Sequence, residues 1–202
     1  MHGSGYPIDI AQSDAAHPIE TGRLILRPFC AADLDDLYAY HSRPEVTRYL
    51  YWDPRDRVQA AEALSRKLSQ GRLDAEGEHL VLAVVRRDVG RVIGEVNLLW
   101  VSRRHRQGEI GFVFNPDHQG AGLATEAARA LLGLGFDDLG LHRIVGRCLA
   151  GNLPSARLME RLGMRQEAHH VHCELFKGEW GDELVYAMLE NEWRDPVGRT
   201  AP

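Results

Sequence analysis

Apolar positions along this chain recur with two different periods, and each change of period marks an element. In RLILRPF (23–29), Leu24, Leu26 and Pro28 alternate against Arg23, Ile25 and Arg27, which predicts a strand with one buried face. AADLDDLYAYHS then shifts to helical spacing through Leu34, Leu37 and Tyr38. PEVTRYLYWDP (44–54) is a short aromatic helix-and-loop segment, and 55–73 predicts a longer helix on Val58, Ala61, Leu64 and Leu68. HLVLAVVRR (79–87), RVIGEVNLLWV (91–101) and GEIGFVF (108–114) read as three successive antiparallel strands joined by tight turns. Helical spacing returns over 121–137, with Leu123, Ala127, Leu131 and Leu134 on one face. HRIVGRCLA (142–150) predicts a strand, and NLPSARLMERLG (152–163) a helix that Gly163 closes. Two strands, 164–176 and 183–190, flank KGEWGD.

The resulting order, β-α-α-α-β-β-β-α-β-α-β-β, is α+β with a mostly antiparallel sheet. A helix-length connection separates 108–114 from 142–150, so these two strands are expected to be parallel neighbours. The chain of 202 residues suits one domain. We assign it to 20–193, with a flexible N-terminal segment over 1–19 and a tail over 194–202.

The net charge of −5 and scattered basic residues argue against nucleic acid as a partner, since phosphate binding needs a concentrated cationic footprint. No apolar stretch approaches a membrane span, and the leader lacks a secretory core, so no membrane association is expected. Cys30, Cys148 and Cys173 are odd in number and lack paired zinc spacing. They read as small apolar fillers in or beside strands, in keeping with a reducing, cytoplasmic setting.

Chemistry concentrates at NPDHQGAGLAT (115–125), between a strand and a helix. Gly120 and Gly122 permit positive φ and close backbone approach, and the next helix offers unpaired N–H groups and its positive dipole end. Such a turn cradles phosphate, unless its glycines serve tightness alone. A Walker loop is excluded, because Leu123 and Ala124 follow Gly122 where Lys and Ser/Thr are required. A dinucleotide fingerprint is excluded too. Thr125 replaces its third glycine, and the next strand ends in Leu149-Ala150-Gly151-Asn152 without a carboxylate.

Gln119-Gly120-Ala121-Gly122-Leu123-Ala124 resembles the acetyl-CoA signature Q/R-x-x-G-x-G/A of the GNAT N-acetyltransferases. ETGRLILRPF, Asn152-Leu-Pro-Ser155 with ERLGM behind it, and the closing GEWGDELVYAML resemble their ribosomal-protein alanine acetyltransferase branch, the RimJ/RimL type. The likeness runs from about residue 20 to 193. It implies a GNAT fold: a mixed sheet with a splayed parallel strand pair and flanking helices. It also implies acetyl-CoA as co-substrate. Its diphosphate would lie on the amides of 119–124 and the start of the helix at Thr125. Its pantetheine arm would pair with Phe112, Val113 and Phe114, and Asn152 would bond that arm from across the cleft. Asn152 also suits a helix N-cap.

The implied reaction is direct attack of a primary amine on the thioester. The acceptor is a protein N-terminus starting with alanine or serine, or a small-molecule amine such as an amino acid, a polyamine or an aminoglycoside-like compound. A backbone N–H near Val113 is the expected oxyanion donor. Glu109 shares a strand face with Gly111 and Val113 and is the first candidate for the base; Glu95 is the reserve, and a water chain is an alternative. Many family members place a tyrosine seven residues after the helix-opening asparagine. Met159 stands there instead, which leaves Ser155 to hydrogen-bond the departing sulfur. Tyr49, Tyr51 and Trp52 are candidate walls of the acceptor pocket, with a core role as the alternative; Trp100 and Trp180 divide the same way.

His118 reads as a loop histidine and Glu126 as structural. His169, His170 and His172 lack a third ligand cluster, so no metal is expected. A homodimer is left open. A regulatory protein of the same fold that binds acyl-CoA without turnover is the rival reading, and the missing tyrosine favours it.

Overall fold

A computed structural model describes residues 18–195; most of the leader and of the tail assigned from sequence lies outside those residues. Strands β1 (Ile19–Glu20), β2 (Leu24–Pro28), β3 (His79–Arg86), β4 (Arg91–Ser102), β5 (Gln107–Phe114), β6 (Arg143–Leu149), β7 (Arg165–Phe176) and β8 (Glu179–Leu189) form one sheet. Their order is β1-β2-β3-β4-β5-β6-β8-β7. Every neighbouring pair is antiparallel except β5 and β6. Helix α4 (Leu123–Gly133) connects that parallel pair, as the long connection required.

β3 is buried on both faces, so it reads as a continuous apolar run rather than an alternation. Leu80, Leu82 and Val84 pack with α4 and α5 (Leu153–Leu162) in the larger core. Val81, Ala83 and Val85 pack on the other side with Leu37 and Tyr40 of α1 (Leu34–His41) and Leu64 of α3 (Arg57–Leu68). The short α2 (Pro44–Thr47) follows α1, and α6 (Glu190–Arg194) follows β8.

Several elements depart from the periodic reading. α3 is shorter than 55–73: Asp56 and Gln59 form a capping box at its start, and it ends at Leu68. Its buried stripe is Ala60, Ala63 and Leu64, while Val58 and Leu68 face solvent. Alanines let the helix approach the sheet closely, and this rotates the larger apolar residues outward. In α1 it is Tyr40, not Tyr38, that is buried with Leu37. The helix expected over 121–137 begins at Leu123 and passes into a π-helical turn at Leu134–Asp138. β8 starts at Glu179, four residues before the expected strand, because Lys177 and Gly178 make a two-residue hairpin turn with both φ values positive. Cys30 and Cys173 are exposed and Cys148 is half-buried, so the first two are not apolar fillers.

A buried ionic cluster joins α1 and α3 to the sheet. Glu95 on β4 is 5% exposed, and its carboxylate accepts hydrogen bonds from Lys67 Nζ at 2.8 Å and the Tyr40 hydroxyl at 3.2 Å. His41 Nε2 lies 3.6 Å from it, while Arg55 donates to His41 Nδ1 at 2.9 Å. That donation puts the imidazole proton on Nε2, which lies near the carboxylate but beyond hydrogen-bond distance. Burial raises the Glu95 pKa, but the attraction of Lys67, with help from His41, outweighs it and holds the group at about 2.

The folded pKa lies below the ordinary 4.5, so this contribution to stability is complete above the ordinary value. It is lost as pH falls through the folded value. Urea midpoints measured from pH 7 to pH 2 should therefore decline more steeply below about pH 4.5 in the wild type than in Glu95→Gln/Lys67→Met. Lys67→Met alone leaves a buried unpaired carboxylate and should destabilise the fold by about 3–5 kcal/mol at pH 7.

Candidate active site

The parallel pair is short. Only Gln107–Ile110 of β5 meet Arg143–Gly146 of β6, and the strands then part. β5 continues to Phe114 against β4, and β6 continues to Leu149 against β8. Residues 111–114 and 147–149 therefore face one another across a gap inside the sheet.

The ladder decides which backbone groups look into that gap. Asn115 N–H donates to Ile93 O at 2.8 Å, which fixes the parity of the β4–β5 pairing. In an antiparallel ladder bonded and non-bonded pairs alternate, so the main-chain groups of Val113 and Gly111 turn to β4. Those of Phe112 and Phe114 turn to the gap. The oxyanion donor expected near Val113 is thus not the Val113 amide itself, which the ladder consumes.

The glycine turn closes one end of the gap. Gly120 and Gly122 have φ of 84° and 74°, and Gly122 is the N-cap of α4. A Cβ on Gly120 would meet nothing within 4 Å, so glycine serves the backbone conformation there rather than internal packing. The turn is held from behind. Arg23 Nη1 donates to Ala121 O at 2.8 Å, and Arg23 Nε donates to Glu126 at 2.7 Å. Glu126 also accepts from the Thr21 hydroxyl at 2.6 Å and from Arg23 N–H at 3.0 Å. Glu126 is structural, as expected: it fastens the first strands to the helix that opens on the cradle. Gln119, Leu123, Ala124 and Thr125 lie on the turn and first helical turn, where the motif places them. His118 turns toward Arg86, 3.4 Å from its guanidinium.

The opposite lip is the start of α5. Asn152 is its N-cap, with Oδ1 accepting from Ser155 N–H at 3.3 Å. The cap uses the oxygen of the Asn152 amide and not its NH2 group. Met159 is buried, and a Cβ on Gly146 would come within 2.5 Å of its sulfur. Gly146, the last β6 residue paired with β5, is what makes room for it.

The face of the gap toward α1 and α3 is polar. Glu109 accepts from Arg147 Nε at 3.2 Å, and Glu183 accepts from Arg147 Nη1 at 3.0 Å. Arg147 is the first β6 residue beyond the pairing, so this triad spans β5, β6 and β8 beneath the gap. Asn97 lays its amide across Gly111, where a Cβ would be 2.7 Å from Asn97 Nδ2. Neither Arg147 nor Asn97 was singled out from the sequence. Period-2 alternation with Glu109 and Gly111 was the available signal.

The aromatic candidates separate. Tyr49 lies beside the Gly151 turn, its ring 3.6 Å from a Cβ placed there. Trp52 packs on His41 at 4.6 Å between ring centroids and under Arg55 at 4.0 Å. Tyr51 is 75% exposed and donates to Glu174 at 2.6 Å. That hydrogen bond, with partial burial, pushes its phenol up to about 12. Lys177, at the β7–β8 turn, donates to Thr47 O at 3.1 Å and pairs with Asp53 at 2.9 Å. The hairpin tip therefore docks on 47–53 and walls this side. Trp100 is core and Trp180 is exposed.

Glu95, the reserve base, is held ionised and engaged by Lys67 and Tyr40 inside the cluster described above. His169 Nε2 lies 2.9 Å from Asp182, which also accepts from His172 N–H at 2.9 Å. Among the described residues no group of three His, Cys, Asp or Glu side chains is arranged to hold a metal.

A mixed sheet whose one parallel pair opens beside a glycine turn and a helix start is an acyltransferase architecture. Known proteins agree: the chain belongs to the GNAT acetyltransferase family, whose domain, described as "Acetyltransferase (GNAT) domain", matches residues 23–165. It is 36% identical to the uncharacterized N-acetyltransferase YnaD of Bacillus subtilis, over 87% of this chain and 98% of that protein. A GNAT-family acetyltransferase from Bacillus anthracis superposes with a TM-score of 0.78 at 31% identity, covering 87% of this chain and all of that one. The spermidine N(1)-acetyltransferase of Escherichia coli is 25% identical over 83% of this chain and 87% of that protein. The protein is an N-acetyltransferase.

Asn152 separates a stabilising role from a binding role. Asn152→Asp keeps the capping oxygen but removes the amide donor, whereas Asn152→Ala removes both. The aspartate variant should melt within about 1 °C of wild type, and the alanine variant several degrees lower, by differential scanning calorimetry. Both should bind coenzyme A about fivefold to tenfold more weakly by isothermal calorimetry. Full affinity in the aspartate variant would confine Asn152 to the cap.

Proposed function

We propose that this acetyltransferase moves acetyl from acetyl-CoA directly to a primary amine in a ternary complex. One observation carries the reading: the backbone edge at Phe112 and Phe114 is open, faces 147–149, and ends at a positive-φ glycine turn on a helix start. The diphosphate of acetyl-CoA suits the amides of 119–124. The pantetheine arm supplies to Phe112 and Phe114 the hydrogen bonds that β6 does not, and the Asn152 NH2 group meets it from the other lip.

The amine approaches from the α1–α3 face. Its nitrogen bonds to the thioester carbonyl carbon while a gap-facing N–H of Phe112 or Phe114 stabilises the oxyanion. Collapse breaks the C–S bond and releases coenzyme A as thiolate, which the Ser155 hydroxyl hydrogen-bonds. Glu109 accepts the amine proton, directly or through water. Arg147 fixes the position of that carboxylate through its hydrogen bond at 3.2 Å.

Charge at the acceptor mouth bears on substrate class. Glu109 and Glu183 share the single cation of Arg147, and Glu174 faces the neutral Tyr51 hydroxyl. This excess of carboxylate disfavours free amino acids, whose own carboxylate would enter it. It favours a small polycationic amine or an uncharged-flank protein N-terminus beginning with alanine or serine. An α-amino group, with a pKa of about 8, also needs less help from a base than a lysine does.

Thiol release with acetyl-CoA across spermidine, Ala- and Ser-starting peptides, aminoglycosides and free amino acids tests the reading. Turnover is expected with amines of the first two kinds and not with amino acids. Binding of acetyl-CoA without thiol release from any amine would favour the regulatory rival. Glu109→Gln should lower kcat/KM about a hundredfold, with the larger loss at low pH where less amine is neutral. An unchanged pH–rate profile would remove Glu109 as the base.

A further inference from the structure

The arginines around the phosphate turn are matched on one flank and unmatched on the other. Arg23 pairs with Glu126, Arg43 with Asp117 and Glu45, and Arg86 with Asp88. Where α4 meets α5, Arg161 reaches across to the first turn of α4, its Nε 3.3 Å from Thr125 Oγ1. Among the described residues no carboxylate pairs with Arg161 or Arg129. Arg129 stands one helical turn beyond Thr125 on α4.

Arg129 and Arg161 line the same small cavity, of about 120 Å³. Glu192 also borders it, but its carboxylate already binds Arg165 and accepts from Leu189 N–H at 2.7 Å. Two guanidinium groups thus border one cavity, which Arg161 ties to the first turn of α4, and the single carboxylate there is already held by Arg165. Such a pair repels itself and attracts an anion.

Coenzyme A carries two separate anions, the diphosphate and a phosphomonoester on the ribose 3′ oxygen. The glycine turn offers main-chain N–H groups suited to the diphosphate, but the monoester is close to a dianion at neutral pH and calls for full positive charges. We propose that Arg161 and Arg129 bind the 3′-phosphate, so that the enzyme selects coenzyme A over its 3′-dephospho form. The inference rests on the coenzyme reading given above. Arg161 acts here as a co-substrate specificity residue, tied to the cradle through Thr125.

Calorimetric titration of the full chain with coenzyme A and with 3′-dephospho-coenzyme A tests it. Wild type should bind coenzyme A about tenfold more tightly. Arg161→Gln and Arg129→Gln should each bring the ratio toward one by weakening coenzyme A alone, and Arg161→Lys should restore part of it. Both arginines are exposed, and melting temperatures equal to wild type verify that the variants fold. Equal affinities for the two nucleotides in wild type would overturn the assignment while the coenzyme reading stands. So would equal weakening of both nucleotides in the variants. If wild type binds neither, the coenzyme reading fails and takes this inference with it.

Discussion

The structure depends on the parting of two parallel strands after a brief pairing. Main-chain N–H and C=O groups inside a protein must find partners, so two bare strand edges in the middle of a sheet are a demand as much as an opening. The sheet tolerates them because each strand keeps its other neighbour: β4 holds β5 to Phe114, and β8 holds β6 to Leu149. An extended polar chain with amide groups of its own answers that demand. The positive-φ turn at Gly120–Gly122 sets where such a chain begins, and the Asn152 cap sets the far lip.

The two faces of the sheet divide the remaining work. On the α4–α5 side packing is apolar, and Met159 sits against Gly146 where β5 and β6 are about to separate. On the α1–α3 side packing is partly ionic. Glu95 stands opposite Val113 in the ladder, and its bonds to Lys67 and Tyr40 pin both helices above the acceptor face. A buried ion pair is a poor source of stability, since desolvation offsets most of its attraction. It does fix register, and here it fixes the helices relative to the strand that carries the open edge.

Much of this was legible in the chain because the signals are local. The α+β order, the parallel pair around α4, the glycine turn, the Asn152 cap and the structural role of Glu126 follow from periodicity, glycine spacing and helix-start chemistry, and the resemblance of Gln119–Ala124 to a family signature implied the GNAT fold. What was not legible is pairwise and long-range. The phase of α3 went astray because Val58 and Leu68 look like core residues, while Ala60 and Ala63 allow closer approach and win the buried stripe. The Val113 amide went to the ladder because parity is a property of two strands. Glu95 looked like a free carboxylate until its partners, 28 and 55 residues distant in sequence, closed on it. Arg147 was invisible as a site residue because its meaning lies in Glu109 and Glu183, on two other strands.

Met159 bears on how the proposed reaction ends. A tyrosine in its place would have to put a ring where a flexible thioether now fills the hollow under Gly146, so an acid at that position is incompatible with this packing. The departing sulfur has less need of one than an oxygen would, because a thiol ordinarily ionises near pH 8.5 and leaves well as an anion. What a thiolate does need is a positive field. The start of α5 supplies one through its N-terminal dipole, at the helix turn that carries Asn152 and Ser155. Two helix starts thus flank one gap, and in the proposed reaction α4 would face the diphosphate and α5 the sulfur. The coenzyme would be held by the same partial charge at both its fixed end and its reacting end.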